Sequence, residues 1–206
     1  MALVDAGRVM TIITTNQPMT LEEYLNYDDG TDTRYELVDG VLVEMPTEST
    51  ENTQIAIFLI SVFLQMGIPY YQLGIKQQIA VHSEKATARD PDLIVHSEQS
   101  AKAISGLKQA LLQFDMPPPA LVVEIVSNSD TDKKSHDRDY IEKRSEYAAR
   151  GIPEYWIIDP IQQVILVLTL STECYQEQMF TGQAAIVSPT FPELSLSANQ
   201  VLKAGL

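Results

Sequence analysis

One cysteine stands in 206 residues, Cys174, so an internal disulfide is excluded. That suits a reducing compartment, and the cytoplasm is the expected location. Nothing beside Cys174 suggests an activated thiolate, and it is expected to be a small packing residue. Basic residues are scarce: 14 Lys and Arg face 28 Asp and Glu, a net charge of −14. This excludes bulk electrostatic attraction to nucleic acid or anionic membrane, so any phosphate contact must be local or metal-mediated. A basic region followed by an apolar stretch is lacking at the N-terminus, which argues against a signal peptide. The longest apolar run, "IAIFLISVFLQM" from Ile55, is too short to span a bilayer. Three histidines, His82, His96 and His136, show no metal-ligand spacing, which makes a zinc hydrolase a poor reading. They are expected on the surface or satisfied in the core, though His96 could share a face with Asp92. No repeat, low-complexity tract or linker divides the chain.

What remains is 45% hydrophobic and 20% charged, a globular composition long enough for one domain. Residues 1–19 carry no pattern and read as a loose arm; 20–206 read as one domain. "TLEEYL" opens with Thr20 and has Glu23 three positions on, a capping box. "RYELVDGVLVEMP" holds two β-rich runs around Asp39-Gly40, a hairpin signal. Ile55, Phe58, Leu59, Val62 and Phe63 recur at helical spacing over 49–65, and Gly67 is placed to end that helix. Strands are predicted within "YYQLGIKQQIAVHS" and at "PDLIVHS", "ALVVEIVS" and "EYWIID". "QQVILVLTL" is expected to pair with a strand at "ECYQEQMF". "AISGLKQALLQF" reads as helical before "MPPP", "SNSDTDKKSH" as a polar loop, "DYIEKRSEYAAR" as a helix and "ANQVLKA" as a short helix. Helices and strands in this order indicate an α/β or α+β fold.

Two carboxylates sit where carboxylates are costly. In "LVVEIVS" Leu121, Val123 and Ile125 share one face, and Glu124 shares the other with Val122 and Val126. Asp92 opens a strand whose next residues, Leu93 to Val95, are all apolar. An unpaired carboxylate in such surroundings costs several kcal/mol or more. Asp92 alone could cap a turn, and Glu124 alone could pair with an arginine. Together they suggest a common partner, and a hard divalent cation with oxygen ligands suits them. Spacing supplies a nearby ammonium. Tyr140, Lys143, Arg144 and Tyr147 fall at i, i+3, i+4 and i+7, so Lys143 projects beside an inward stripe. An ion pair with Asp139 is its plain alternative. Lys133 and Lys134 lie in the polar loop and are expected to be solvated.

"YELVDG", "PDLIV", "LVVEIVS" and "RDYIEKRSEYAARGIPEYWIIDP", in that order, resemble the Uma-type restriction endonuclease family, within the PD-(D/E)xK nuclease-like superfamily. The resemblance runs from about Thr20 to about Leu170. It implies a restriction-endonuclease-like central mixed β-sheet flanked by helices, with Mg²⁺ (or Mn²⁺) held by an Asp and a Glu on adjacent strands and a Lys assisting the attacking water. Carried over by position, the metal ligands are Asp92 and Glu124 and the lysine is Lys143; a backbone carbonyl, that of Ile125, is expected to complete the shell with waters. The superfamily's E-x-K pattern would place that lysine at 126, where Val126 stands. "YELVDG" offers Glu36 as a further acid, with Glu51 on the first core helix as the alternative. Asn52 occupies a place where the family often carries His.

The function implied is Mg²⁺-dependent hydrolysis of phosphodiester bonds in nucleic acid, DNA in the first instance. A nuclease scaffold kept as an inactive binding or regulatory module is the alternative. Net charge speaks for the second. Only residues 133–150 hold a basic concentration, six bases against four acids, a net +2 in a chain whose remainder carries −16. That run could hold a phosphate near Glu124 or simply be a solvated helix face. An apolar edge at "QQVILVLTL" makes a homodimer plausible.

Overall fold

Pro91 marks the place where the chain passes from one β-sheet to another. The structure, a computed structural model, describes residues 12–13, 18–45, 49–83, 87–127 and 138–204. Its strands are β1 (Ile12–Ile13), β2 (Tyr35–Val38), β3 (Val41–Glu44), β4 (Leu73–Gly74), β5 (Gln78–Val81), β6 (Thr87–Arg89), β7 (Leu93–Val95), β8 (Leu111–Leu112), β9 (Leu121–Ile125), β10 (Glu154–Asp159), β11 (Val164–Ser171) and β12 (Cys174–Phe180). Its helices are α1 (Leu21–Leu25), α2 (Thr50–Gln65), α3 (Glu98–Ile104), α4 (Lys143–Ala149) and α5 (Ala198–Leu202). The α/β expectation holds, with the strands divided between two mixed sheets. One runs β1-β3-β2-β6-β5-β8 and the other β12-β11-β10-β9-β7-β4. Pro91 offers no N–H to a ladder and fixes its own φ, so β6 stops at Arg89 and β7 starts at Leu93 in the other sheet.

Alternation decides the layers. Leu121, Val123 and Ile125 of β9 pack with Ile55, Leu59 and Phe63 of α2 and with Ala198, Val201 and Leu202 of α5. Val122 and Val126 pack on the opposite side with Tyr147 of α4 and with Ile79, Val81 and Leu112 of the first sheet. The face carrying Glu124 is therefore an interior face, closed over by α4 and the other sheet. On the far side of that sheet Leu37, Leu42 and Ala88 pack beneath Leu21, Tyr24 and Leu25 of α1.

Local signals are met in several elements. Thr20 and Glu23 form the capping box. Asp39 (φ 47) and Gly40 (φ 77) form the two-residue hairpin turn that requires left-handed backbone at both positions. A side chain at Gly40 would also collide with Pro18, whose Cβ would lie 2.6 Å away. Ser49 caps α2, accepting from the Asn52 N–H.

Other expectations are corrected. The helix expected over "AISGLKQALLQF" ends at Ile104, because Ser97 caps it upstream and Gly106 takes a left-handed φ of 78; Leu111–Leu112 then pair in parallel with β5. Strand β6 was not anticipated, since three residues carry no periodicity. Strand β11 is no edge: β10 and β12 flank it, so the apolar edge expected at "QQVILVLTL" is covered. Cys174 is exposed, at the turn end of the β11–β12 hairpin, and packs no core. Within the stretch expected as a loose arm, Ile12–Ile13 pair with β3, and residues 1–11 and 14–17 lie outside the described residues. The helix "DYIEKRSEYAAR" forms as a turn of π-helix, Arg138–Glu142, that continues into α4. The loop "SNSDTDKKSH" with Lys133, Lys134 and His136 lies largely outside the described residues.

Candidate active site at the junction of the two sheets

Antiparallel pairing sets Leu93 against Val123 and Ile94 against Val122. Continued by one residue, the same register sets Asp92 against Glu124. Directly opposed residues share a face, with Cβ atoms about 4.5–5.5 Å apart. Asp92 is fixed there by the Ile125 N–H, which donates to its Oδ2 at 2.6 Å.

Glu124 is 4% exposed, and its two oxygens have separate partners. The Lys143 ammonium lies 2.8 Å from Oε2, and the Tyr147 hydroxyl donates to Oε1 at 2.7 Å. Both partners come from one face of α4, at i and i+4. Lys143 is itself 3% exposed, so the pair neutralises two charges inside the protein. Burial, with the negative Glu124 beside it, pushes the Tyr147 hydroxyl well above its ordinary value. Tyr147 therefore stays protonated and acts only as a donor. The π-turn immediately precedes Lys143; such turns rephase a helix by one residue and recur at functional sites.

At the end of β9, Asn52 reaches across from α2. Its Nδ2 donates to the Ile125 carbonyl at 3.0 Å and lies 2.6 Å from Ser127 Oγ. Asn52 lies on the same buried stripe as Ile55, Leu59 and Phe63, the one polar residue among them. The Ile125 carbonyl is thus oriented by a side chain from another element.

A second buried network adjoins the first. Arg89, at the end of β6, is 1% exposed and makes two bonds to Glu146, Nε and Nη2 each at 2.7 Å. Its Nη1 faces Glu36 Oε2 at 3.5 Å without a hydrogen bond, and Nη2 lies 3.4 Å from Glu142. Burial opposes the guanidinium charge, but Glu36 and Glu146 outweigh it and hold its pKa above the usual value. Glu36 also accepts from the Asp90 N–H at 3.3 Å. Burial raises the Asp90 carboxyl pKa against the pull of Arg34, which pairs with Oδ2.

Asp92, Glu124, the Ile125 carbonyl and Lys143 are thus assembled in one place. Glu36 stands one step away, held by Arg89, and Glu51 lies half-buried in the first turn of α2. Arg89, Asp90 and Glu146 were not singled out by sequence. Tyr147 was marked only as inward-facing, and Asn52 only by its place in the family pattern. A usable signal existed in "ARDPD", where Arg and Asp precede a strand-ending proline.

His96 belongs elsewhere. It is buried at the far end of β7, with Nδ1 at 3.1 Å from Ser100 Oγ and Nε2 at 2.6 Å from Gln77 Oε1. Burial lowers its pKa from 6.5 to about 4. The unfolded chain therefore binds this proton first as pH falls. The contribution to stability is whole above pH 6.5 and declines between 6.5 and about 4, by up to about 1.4 kcal/mol per unit. His96→Gln is expected to lose less stability than wild type between pH 7 and pH 5. Urea unfolding at the two pH values checks this, and equal losses would contradict it.

The donor set suits a hard cation. Two carboxylates and a carbonyl are all oxygen, and Mg²⁺ takes one or two carboxylates with water completing its shell. Each carboxylate oxygen that accepts a protein hydrogen bond keeps a second lone pair. Among the described residues no three His, Cys, Asp or Glu side chains gather as a metal cluster.

A putative nuclease belonging to DUF820, from Anabaena variabilis ATCC 29413, superposes with a TM-score of 0.68. It is 19% identical, and the match covers 92% of this chain and 100% of that one, a likeness of fold. A search among curated proteins finds no match. The sequence profile of Uma2, described as "Putative restriction endonuclease", matches residues 21–199, and the chain belongs to that family.

Proposed function

We propose that the protein is a divalent-metal-dependent endonuclease that hydrolyses phosphodiester bonds in nucleic acid, with Mg²⁺ as its ion and Mn²⁺ as a substitute. One observation carries the reading: Asp92 Oδ2 accepts from the Ile125 N–H at 2.6 Å, next in the chain to Glu124, and the Lys143 ammonium lies 2.8 Å from the Glu124 carboxylate. Asp92, Glu124 and the Ile125 carbonyl would hold the ion. When bound, it supplies a Lewis acid at a phosphate oxygen and a more acidic water. Lys143, anchored on Glu124, is within reach of a water or phosphate oxygen there and can hold or give a proton and offset developing negative charge. Tyr147 fixes the Glu124 carboxylate, and Asn52 fixes the carbonyl. Glu36 acts on the site at one remove, by keeping Arg89 in place.

Beside the net charge, one contact favours the inactive-module reading: Lys143 neutralises Glu124. Metal titration separates the two. Under the nuclease reading millimolar Mg²⁺ or Mn²⁺ raises the Tm by mass action, and the metal-loaded protein nicks plasmid or single-stranded DNA. At ion concentrations near 100 Kd the gain is about 2.7 kcal/mol. Asp92→Ala should remove both the shift and the cleavage. A wild-type protein with neither is the module.

A further inference from the structure

We propose that one face of the protein, from Arg34 to Tyr71, holds a single strand of nucleic acid beside the carboxylate pair; the inference rests on the nuclease reading and names the form of its substrate. Two neighbouring cavities make the face. The first, about 290 Å³, opens between α1, β2 and β5. The second, about 590 Å³, opens between α3 and the 3₁₀ turn Tyr70–Gln72. Ala110 belongs to both walls, and Lys76 in the first is followed in the chain by Gln77 in the second. Asp90, two residues along the chain from Asp92, belongs to the first wall and marks the end nearer the metal site.

Charge on this face fits a phosphate chain. Arg34 and Lys76 belong to the first cavity and Lys102 to the second, all three exposed. Lys108, also exposed, stands between Leu107 of one wall and Gln109 of the other. The acids of the two linings are Asp90, which is paired with Arg34, and Glu98. Three lining bases against two lining acids is a positive balance in a chain of net −14. Asp28, Asp29 and Asp32 precede the first wall and line no part of it, so they turn a phosphate chain toward Lys76. Away from this face Arg89, Lys143 and Arg150 are buried, and Arg144 is paired with Glu177.

The rings select a single strand. Tyr70 and Tyr71 are 80% and 60% exposed and stand edge to face at 5.8 Å. Their turn is pinned, because the Gln72 carbonyl accepts from the His96 N–H at 2.7 Å. Tyr27 and Tyr35 form a second edge-to-face pair at 5.8 Å in the first cavity. The Tyr24 hydroxyl donates to the Tyr35 carbonyl at 2.6 Å and fixes that pair. Rings on a fixed backbone offer stacking surface to unpaired bases of any sequence, whereas a duplex keeps its base faces within its own stack. Aromatic surface beside spaced cations is the combination that a single strand uses.

The test uses the whole chain without metal, so it does not depend on cleavage. Fluorescence anisotropy with a labelled single-stranded DNA of about 12 nucleotides should show saturable binding, at least about tenfold tighter than the same sequence as a duplex. Tyr71→Ala should weaken the single strand about tenfold, and Tyr71→Phe, which keeps the ring, should not. Lys76→Ala with Lys102→Ala should lower the slope of log affinity against log salt by about 1.4, since each lost phosphate contact removes about 0.7. Lys203→Ala, at an exposed base that lines neither cavity, should leave affinity and slope unchanged. Unchanged Tm in the four variants shows that they fold. No saturable binding, equal affinity for the duplex, or wild-type affinity in Tyr71→Ala would each overturn the proposal. Self-association that Tyr71→Ala abolishes, without DNA binding, would give the face to a second copy of the chain instead. Cleavage by a protein that fails these binding tests would refute the strand site and leave the nuclease standing; strand binding without cleavage would do the reverse.

Discussion

Glu124→Ala is expected to abolish Mg²⁺-dependent cleavage and to lower folding stability by about 3–5 kcal/mol. The two effects have different origins. Cleavage is lost because one of two carboxylates that would hold the ion is gone. Stability is lost because Lys143, 3% exposed, keeps a charge with its principal counter-charge removed, and the fully buried Tyr147 hydroxyl loses its acceptor. Variants separate the terms. Glu124→Gln retains an acceptor for Tyr147 and should lose less stability but the same activity. The double change Glu124→Leu with Lys143→Met removes both charges at once, and should recover most of the stability and none of the cleavage. Urea unfolding at neutral pH and plasmid nicking measure the two quantities. If Glu124→Ala cuts like wild type, Glu124 holds no essential ion; if it loses under about 1 kcal/mol, the ion pair is not the buried contact described here.

The same physics explains what could be read without coordinates. Glu124 and Asp92 were legible because an acid inside an apolar strand violates the pattern around it, and the alternation of β9 fixed which way Glu124 points. Lys143 was legible because helical spacing ties it to Tyr140 and Tyr147; the π-turn before it changed the path of the helix without moving Lys143 off the site. Arg89 was not legible. Its strand is three residues long, too short to show a period, and its partners come from β2, from the π-turn (Glu142, 53 residues away) and from α4 (Glu146, 57 residues away). Asn52 shows the same limit. Its place on the buried stripe of α2 could be read, but the carbonyl it holds is 73 residues distant. The division into two sheets depends on one dipeptide, Asp90-Pro91, whose local reading is only a strand end.

Arg89→Met is expected to be the most damaging single change described here, because it strands two acids rather than one base. Glu36 is 1% exposed, and Glu146 loses both of its short bonds. Leaving a buried charge unpaired costs about 3–5 kcal/mol, a large part of the 5–15 kcal/mol that holds a domain folded. The pH dependence gives the mechanism away. Without Arg89 the stranded carboxylates should have raised folded-state pKa values. The folded variant then binds protons at these carboxylates that the unfolded chain does not, which adds stability as pH falls from 7 toward 5. His96 works the other way in both proteins, so the variant should lose less stability than wild type over this range. Glu146→Gln added to Arg89→Met should restore part of the loss. Arg89→Lys should restore little, since one ammonium cannot make the paired bonds. The fraction of Arg89→Met that folds should also cleave poorly. Arg89 ties α4 to the first sheet through Glu146, while Lys143 and Tyr147 tie the same helix to the second sheet through Glu124. Releasing one tie leaves the ammonium on a helix without its ion pair to the first sheet. Urea midpoints at pH 5 and pH 7 decide the matter, and a variant that is stable at pH 7, with the same pH dependence as wild type, would show that the Arg89 network does not hold the site in place.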